Sequence, residues 1–319
     1  MTEARYGFGE RERHAARALV DQAIAEDLSQ IGDITSAATI PSHARGAARV
    51  VARAPGVLAG LAVVDRLVAE FELADYWEPL LHDGDSLVPE SLIARIAGPM
   101  RSLLAIERTL LNFLQRLSGI ATLTARFVAA VSGTQASIYD TRKTTAGWRA
   151  LEKYAVRCGG GFNHRFGLYD AVLIKDNHLA WLEAAGALGQ RDTIATAIAT
   201  ARANTPLGTT IEIEVDTLEQ LNRALHGGPD IILVDNLAPE LVAEAVRRRD
   251  QVAPRVKLEA SGGVNLATVR ALAQTGVDRI SVGALTHSSP ALDLALDFDR
   301  IPVFHQGTNG AKAVPSAES

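Results

Sequence analysis

The amino-acid sequence predicts an α/β protein whose second half forms either a parallel α/β barrel or a doubly wound sheet. Short apolar runs recur after Val131, and each run ends in a polar or charged residue and is followed by a helical pattern. Strands that are buried on both faces and alternate with helices are typical of a parallel sheet. Six such units span roughly 155 residues, and because a complete eight-unit barrel typically needs about 250 residues, an incomplete barrel fits better. The runs are ASIYDTRKT, DAVLIKDN, TTIEIEVDT, DIILVDN, RVKLEASGG and RISVGAL.

The first third of the chain predicts a mixed α/β sandwich. A helical pattern covers ERERHAARALVDQAIA, and the loop EDLSQIGDITS after it offers a helix cap at Asp33 or Ser36. Two β-like stretches, RGAARVVARAPGVLAG and SLIARIAGPMRSLLA, flank a helical segment, LAVVDRLVAEF. The long apolar pattern over residues 105–131 then predicts either one helix or two helices hinged near Ser118-Gly119.

The composition of the chain indicates a globular protein and argues against nucleic-acid binding and membrane insertion. Hydrophobic residues make up 47% of the chain and charged residues 22%, which is typical of a globular protein with a substantial core. The net charge of −5 argues against nucleic acid as the main partner. Cys158 is the single cysteine, so a disulfide framework within the chain is excluded and a reducing cytoplasm is expected. The N-terminal residues lack the apolar core of a signal peptide, and charges interrupt the apolar stretches before the roughly 18 residues that a membrane span needs.

The carboxyl ends of the predicted barrel strands carry the candidate chemistry, because the active sites of parallel barrels lie there. Helix capping explains Asp216 and Asn236 about as well as function does. It does not explain Arg142, Lys143 or Lys175, since basic side chains do not cap helix N-termini. The polar residues at these strand ends are Asp140, Arg142, Lys143, Lys175, Asp176, Asn177, Glu214, Asp216, Asp235 and Asn236.

The segment from Asp140 to His178 is basic within an acidic protein, with seven basic and four acidic side chains. A positive pocket of this kind concentrates a small anionic substrate. Arg149, Glu152 and Lys153 lie at helical spacing, and we expect them on a solvated helix face. The segment therefore predicts an anion-binding active site at the rim of the barrel.

Two further features extend this site toward phosphate and metal. The last two strands end in Ser261-Gly262-Gly263 and Val282-Gly283-Ala284, and glycine lets backbone amides approach a phosphate. Glu214 and Asp235 end neighbouring strands, and carboxylates together with substrate phosphates are typical ligands of Mg²⁺. The sequence thus predicts a phosphorylated, multiply anionic substrate with magnesium.

With these residues in view, the chain closely resembles the quinolinate phosphoribosyltransferase family. The matching motifs run from about residue 26 to 298, and the longest is highly specific: DTRKTTAGWRALEKYAVRCGGGFNHRFGLYDAVLIKDNH. Others are EDLSQIGDITS, ERTLLNFLQRLSGIAT, IEIEVDTLEQ, ILVDN, LEASGGV and GVDRISVGALTHSSPALDLALDF. The resemblance implies that quinolinate reacts with phosphoribosyl pyrophosphate to give nicotinate mononucleotide, pyrophosphate and CO₂ in NAD synthesis, with Mg²⁺ as the cofactor.

The resemblance also assigns roles to individual residues. It implies a quinolinate pocket of Thr141, Arg142, Lys143, His164 and Arg165, with Lys143 among the catalytic residues. In a cytoplasmic homodimer or higher oligomer, Arg108 would be contributed by the neighbouring subunit. The other catalytic residues, which would face phosphoribosyl pyrophosphate and magnesium, are Lys175, Glu214 and Asp235. The 5′-phosphate cradle would comprise Ser261, Gly262, Gly263, Val282, Gly283 and Ala284.

The implied fold is that of type II phosphoribosyltransferases: an N-terminal α/β sandwich joined to an incomplete, seven-stranded α/β barrel. The sandwich would comprise residues 1–118 together with the C-terminal segment at about 289–304, and the barrel residues 119–288. The tail at 305–319 has no counterpart and is predicted to be disordered. The family often has proline and leucine where this chain has Ala146 and Trp148, which affects the expected shape of that loop.

Alternatives of two classes stay open at this point. One is another enzyme of the same fold, either a nicotinate phosphoribosyltransferase or a relative from molybdenum transport operons. The other is a non-catalytic protein that senses phosphoribosyl pyrophosphate or a nucleotide. Cys158 is expected to be a small buried residue rather than a nucleophile, whereas His178 and His287 either line the site or only bond to backbone.

Overall fold

The computed structural model describes residues 6–184 and 192–299, so the predicted disordered tail lies outside the described residues. Helices α1 (Glu10–Leu28) and α2 (Ile34–Thr39) come first. Of the two predicted caps, Asp33 is the one used, because its Oδ1 accepts the N–H groups of Thr35 and Ser36 at 2.9 and 3.0 Å.

A four-stranded antiparallel sheet forms the core of the first third. Its strands are β1 (Arg45–Ala52), β3 (Trp77–Pro79), β5 (Leu92–Pro99) and β12 (Leu294–Phe298), in the order β12-β1-β5-β3. Because β12 pairs with β1, the chain returns near its C-terminus to its first sheet. The predicted helix α3 (Leu61–Glu70) lies between the two short strands β2 (Gly56–Val57) and β4 (Ser86–Leu87).

Helix α4 (Met100–Ala130) is continuous, so the alternative of a hinge near Ser118-Gly119 is wrong. Both small residues instead serve close packing. Ser118 Oγ accepts the N–H of Ala59 at 3.0 Å. A Cβ at Gly119 would lie 2.1 Å from the carbonyl oxygen of Pro290, so only glycine lets this segment pass the helix.

A six-stranded parallel sheet follows, in the order β6-β11-β10-β9-β8-β7, as the six recurring runs predict. An additional parallel bridge joins Tyr139 to Phe162 beside β6 and occupies the place of a further strand in this incomplete barrel. The strands are β6 (Ser137–Tyr139), β7 (Val172–Ile174), β8 (Ile211–Val215), β9 (Ile231–Asp235), β10 (Lys257–Ser261) and β11 (Arg279–Ser281). The helices are α5 (Arg149–Cys158), α6 (Asp176–Ala184), α7 (Thr193–Asn204), α8 (Leu218–Gly227), α9 (Pro239–Val252), α10 (Val269–Ala273) and α11 (Ala284–His287).

The register of this sheet brings the predicted strand-end residues to one edge. Ser261 is paired with Asp235 across β10 and β9, and Glu214 is paired with Leu233 across β8 and β9. Side chains two residues apart on a strand share a face, so Glu212 lies one layer below Glu214, and Glu259 one layer below Ser261. Within the described residues, no helix combines the length and the apolar character needed to cross a bilayer.

Candidate active site

A cavity of about 390 Å³ lies at the carboxyl ends of the parallel strands. It brings together most of the side chains that the sequence singled out, and it adds four that the sequence analysis did not name: Leu173, Leu233, Glu259 and Ser281. The predicted residues that line it are Thr141, Arg142, Lys143, His164, Arg165, Lys175, Glu214, Asp235 and Ser261.

Two arginine side chains, Arg142 and Arg165, line the cavity. Arg142 Nε is buried and has no hydrogen-bond partner among the described residues. Arg165 donates from Nη1 to the carbonyl of Ala171 at 3.0 Å. Burial and the neighbouring charge of Arg142 lower the pKa of Arg165. A bound dianion would relieve this like-charge repulsion, so the geometry suits a carboxylate-bearing ligand.

The loop that carries Arg142 is fixed by its own chain. Thr141 Oγ1 accepts the N–H of Lys143 at 3.0 Å. Trp148, one of the two departures from the family pattern, stacks on Phe113 of α4 with ring centroids 5.1 Å apart. The indole therefore packs against the long helix rather than into the cavity.

The prediction that Arg149, Glu152 and Lys153 lie on a solvated face of helix α5 is wrong. Glu152 and Lys153 are 0% and 1% exposed, and only Arg149 is half-buried. The Lys153 ammonium forms an ion pair with Asp140, which is also fully buried, and donates to the carbonyl of His164 at 2.9 Å. Asp140 additionally accepts the His164 N–H at 2.9 Å. This pair ties the end of β6 to the segment that carries two predicted ligand-binding residues.

An acidic pair, of which Glu259 lines the cavity, was missed by the sequence analysis. Glu212 and Glu259 are 1% and 0% exposed, and their carboxylates lie 3.0 and 3.5 Å from His164 Nε2. Burial and the charge of Glu212 raise the pKa of Glu259 to about 7. The signal was present in IEIEV and LEAS, where an acid precedes a predicted site residue by two positions on the same strand face.

The contacts of the His164 ring fix where its proton sits. Nδ1 accepts the N–H of Arg165 at 2.7 Å, so Nδ1 carries a lone pair and the proton of the neutral ring is on Nε2. Nε2 therefore donates to Glu212 and is not free to ligate a metal, although its atoms and those of both acids lie within 4.8 Å of one another. Burial opposes the charged form, but the hydrogen bond to Glu212 and the charges of both acids outweigh it and raise the pKa of His164.

Lys175 and Glu214, which also line the cavity, form an ion pair, with 43% and 17% of their side chains exposed. Glu214 and Asp235 line the same wall from adjacent strands. Two hard carboxylate donors that reach one open cavity fit the ligand preference of Mg²⁺, which keeps several waters and shares its site with substrate phosphates.

The late glycine segments lie beside the cavity rather than in its lining, apart from Ser261. Gly262 adopts φ +94° and Gly263 φ +60°, which favour glycine. A Cβ at Gly262 would also lie 2.7 Å from the amide nitrogen of Asn236. Gly283 has an ordinary φ, but a Cβ there would lie 3.0 Å from Cδ of Lys143. The second segment, Val282 to Ala284, therefore contacts the basic loop directly.

The remaining singled-out residues lie away from the cavity. Arg108 projects from α4 with 63% of its side chain exposed, and its acidic neighbour Glu107 is 4.0 Å away. Cys158 is buried and burial raises the pKa of its thiol, as expected for a small packed residue. His178 Nδ1 accepts the N–H of Lys175 at 2.9 Å, and His287 Nδ1 lies 2.6 Å from Ser288 Oγ.

The fold and the cavity define an α/β-barrel protein with a cavity lined by charged residues at the carboxyl ends of its strands. Residues 33–118 match the family model of the quinolinate phosphoribosyl transferase N-terminal domain, and residues 120–297 match that of the C-terminal domain. The chain belongs to the quinolinate phosphoribosyltransferase family.

Individual relatives agree with this family over most of the chain. The nicotinate-nucleotide pyrophosphorylase [carboxylating] of Mycobacterium leprae is 45% identical over 288 residues, which cover 90% of this chain and 98% of the relative. A probable enzyme of the same name from Bacillus subtilis is 43% identical, covering 88% and 92%. The solved nicotinate-nucleotide pyrophosphorylase of Francisella tularensis superposes with a TM-score of 0.80 at 36% identity, covering 90% and 96%.

Proposed function

We propose that this protein is a decarboxylating quinolinate phosphoribosyltransferase of NAD biosynthesis. It would convert quinolinate and phosphoribosyl pyrophosphate into nicotinate mononucleotide, pyrophosphate and CO₂. The observation that carries the proposal is that one cavity is lined by two guanidiniums, those of Arg142 and Arg165, and by two carboxylates, those of Glu214 and Asp235. The first pair suits two adjacent carboxylates, and the second suits a sugar that becomes positively charged.

The reaction follows from the charges of the site. Arg142 and Arg165 would hold the carboxylates of quinolinate and orient the ring nitrogen, which forms a bond to the anomeric carbon as the bond to pyrophosphate breaks. Glu214, paired with Lys175, would stabilise the positive charge that develops on the sugar. Glu214 and Asp235 would hold Mg²⁺, which offsets the charge on the departing pyrophosphate. The resulting pyridinium then accepts the electron pair when the adjacent carboxylate leaves as CO₂, and the ring carbon takes a proton.

A product assay tests this function directly. Purified protein is incubated with phosphoribosyl pyrophosphate and Mg²⁺, together with either quinolinate labelled in its 2-carboxylate or nicotinate. We expect equal amounts of CO₂, pyrophosphate and nicotinate mononucleotide from quinolinate, a large loss of rate without Mg²⁺, and little turnover of nicotinate. Turnover of nicotinate at the same rate would favour the monocarboxylate enzyme, and binding without turnover would favour a sensor.

We also infer a homodimer in which Arg108 completes the neighbouring subunit's site. The support is its position on α4, exposed and outside its own cavity. Arg108→Ala and Lys175→Ala variants should each be inactive, whereas mixed heterodimers should regain up to one intact site per dimer. Mixtures without recovered activity would contradict the shared site. We place the enzyme in the cytoplasm, where the reducing environment suits its single buried thiol.

A further inference from the structure

The loop after β6 and the loop after β11 contact each other at the rim of the cavity. Thr286 Oγ1 donates to the carbonyl of Lys143 at 2.7 Å. The side chain of Lys143 also passes Gly283, where a Cβ would come within 3.0 Å of its Cδ. The loop that carries Arg142 and the loop of the second glycine segment are thus joined through a backbone carbonyl and an aliphatic stem.

An ion pair between the fully buried Glu152 and Arg116, of which 27% of the side chain is exposed, anchors both loops. Glu152 of α5 accepts the N–H and the hydroxyl of Thr145 at 3.1 and 2.8 Å, which anchors the loop after β6. Arg116 of α4 donates from Nη2 to Glu152 at 2.6 Å and from the same guanidinium to the carbonyl of Thr286 and to Ser289. Together with the contact between Thr286 and Lys143, these bonds form a closed ring.

We propose that Arg116 and Glu152 are positioning residues that couple the loop after β6, which would bind the dicarboxylate, to the loop after β11, which would bind the phosphate. Neither side chain lines the cavity, so both act through the backbone of the two loops. Glu152 is fully buried, and its charge is compensated by Arg116 and the donors of Thr145. Arg116 Nε and Nη2 both donate to Oε1 of Glu152. This charged contact restricts both loops, so ordering one loop orders the other and reduces the entropy that the second ligand must lose. This assignment of the loops to two ligands rests on the proposed function.

Unreactive ligands test the coupling without turnover. Phthalate presents the two adjacent carboxylates of quinolinate but lacks the ring nitrogen, and ribose 5-phosphate presents the phosphate of the donor. The affinity for phthalate is measured by calorimetry with and without saturating ribose 5-phosphate. We expect ribose 5-phosphate to tighten phthalate binding by about fivefold or more in the wild type, the lower range of allosteric coupling.

Three variants interrupt the ring at different points: Glu152→Gln, Arg116→Lys and Thr286→Val. In each, the ratio of the two phthalate affinities should fall to near one. The KM values of both substrates should rise by about tenfold in the two ion-pair variants, which weaken charge-assisted hydrogen bonds, and by less in Thr286→Val, which loses a neutral one. Thr286→Val is nearly isosteric and carries no charge, so it keeps the test decisive where a variant of the buried ion pair fails to fold.

Asp278→Asn is the matched control. Asp278 accepts from Arg249 at 2.6 Å in another largely buried ion pair, at the amino-terminal end of the parallel strands. The Asp278→Asn variant should have a lower melting temperature than the wild type, with an unchanged ratio of the two phthalate affinities. An uncoupled wild type, coupling that survives in Thr286→Val, or coupling lost equally in Asp278→Asn would each overturn the proposal. A wild type that binds neither ligand would overturn the proposed function as well, whereas coupled binding without product formation would overturn only that function.

Discussion

Replacing Lys153 by methionine tests how the basic segment is held in place. Lys153 and Asp140 are both essentially inaccessible to solvent, so the variant leaves a carboxylate in the interior without its counter-charge. Removing one partner of a buried pair costs about 3–5 kcal/mol, whereas a typical domain is stable by only about 5–15 kcal/mol. We therefore expect the free energy of unfolding at pH 7 to fall by about 3–5 kcal/mol.

The pH dependence of this loss identifies its cause. Burial already raises the pKa of Asp140, and the charge of Lys153 opposes that rise. Without Lys153 the carboxyl is protonated at higher pH, so the deficit should be largest near neutrality and shrink as the pH falls. Urea unfolding of wild type and Lys153→Met between pH 4 and pH 8 measures both effects.

Two further variants separate the electrostatic explanation from packing. Lys257→Met removes an exposed ion pair with Asp278, in which 55% of the lysine side chain is exposed, and should cost less than about 1 kcal/mol. The double variant Asp140→Leu, Lys153→Met removes both buried charges and should recover part of the stability. A loss below about 1 kcal/mol in Lys153→Met at pH 7, or a loss independent of pH, would refute the reasoning.

Three other predictions concern the cavity. The folded-state pKa of Glu259, about 7, lies above its unfolded value of 4.5. The stability lost by burying the ionised carboxylate is therefore absent below pH 4.5 and complete above pH 7. The free energy of unfolding of Glu259→Gln should therefore exceed that of the wild type by up to about 3 kcal/mol above pH 7 and should equal it at pH 4. Free energies of unfolding from urea titrations that differ by the same amount at every pH would contradict this. Arg142→Ala or Arg165→Ala should raise the quinolinate KM at least about tenfold without unfolding the protein, as steady-state kinetics and circular dichroism would show. Glu214→Gln should lower kcat more than it changes either KM, because sugar-cation stabilisation is a transition-state effect, and a change confined to KM would count against that role.

Much of the fold could be predicted from local patterns. The helical patterns expected after the apolar runs coincide with helices such as α5 and α8, and the six parallel strands lie on the six apolar runs. Strand ends were equally informative, since the carboxyl ends of parallel strands meet at one edge whatever the curvature of the sheet. This is why Lys175, Glu214 and Asp235 could be grouped before the sheet order was known.

Burial of charged residues could not be predicted in the same way. Helical spacing shows that Arg149, Glu152 and Lys153 share a side of α5, but the same spacing describes a face toward water and a face toward the interior. What decides between them is whether partners arrive from elsewhere in the chain. Glu152 and Lys153 are compensated by Arg116 and Asp140, which lie 36 and 13 positions away in the sequence. The spacing of residues within one helix gives no information about such partners, so it does not predict which face is buried.

The division of charge between strands and loops gives the site its polarity. The acids Glu212, Glu214, Asp235 and Glu259 project from β8, β9 and β10, whose hydrogen-bonded register fixes their heights in the barrel. The cations Arg142, Lys143 and Arg165 come from connecting segments, where long side chains adjust to a ligand. In the proposed function, a dicarboxylate would therefore be held near the rim and repelled from the acidic floor, while the sugar ring, which becomes positive only as pyrophosphate leaves, would meet the strand-borne carboxylates. The same arrangement disfavours the reverse orientation of the ligand, because its anionic end would then face the carboxylates of Glu212 and Glu259 next to His164.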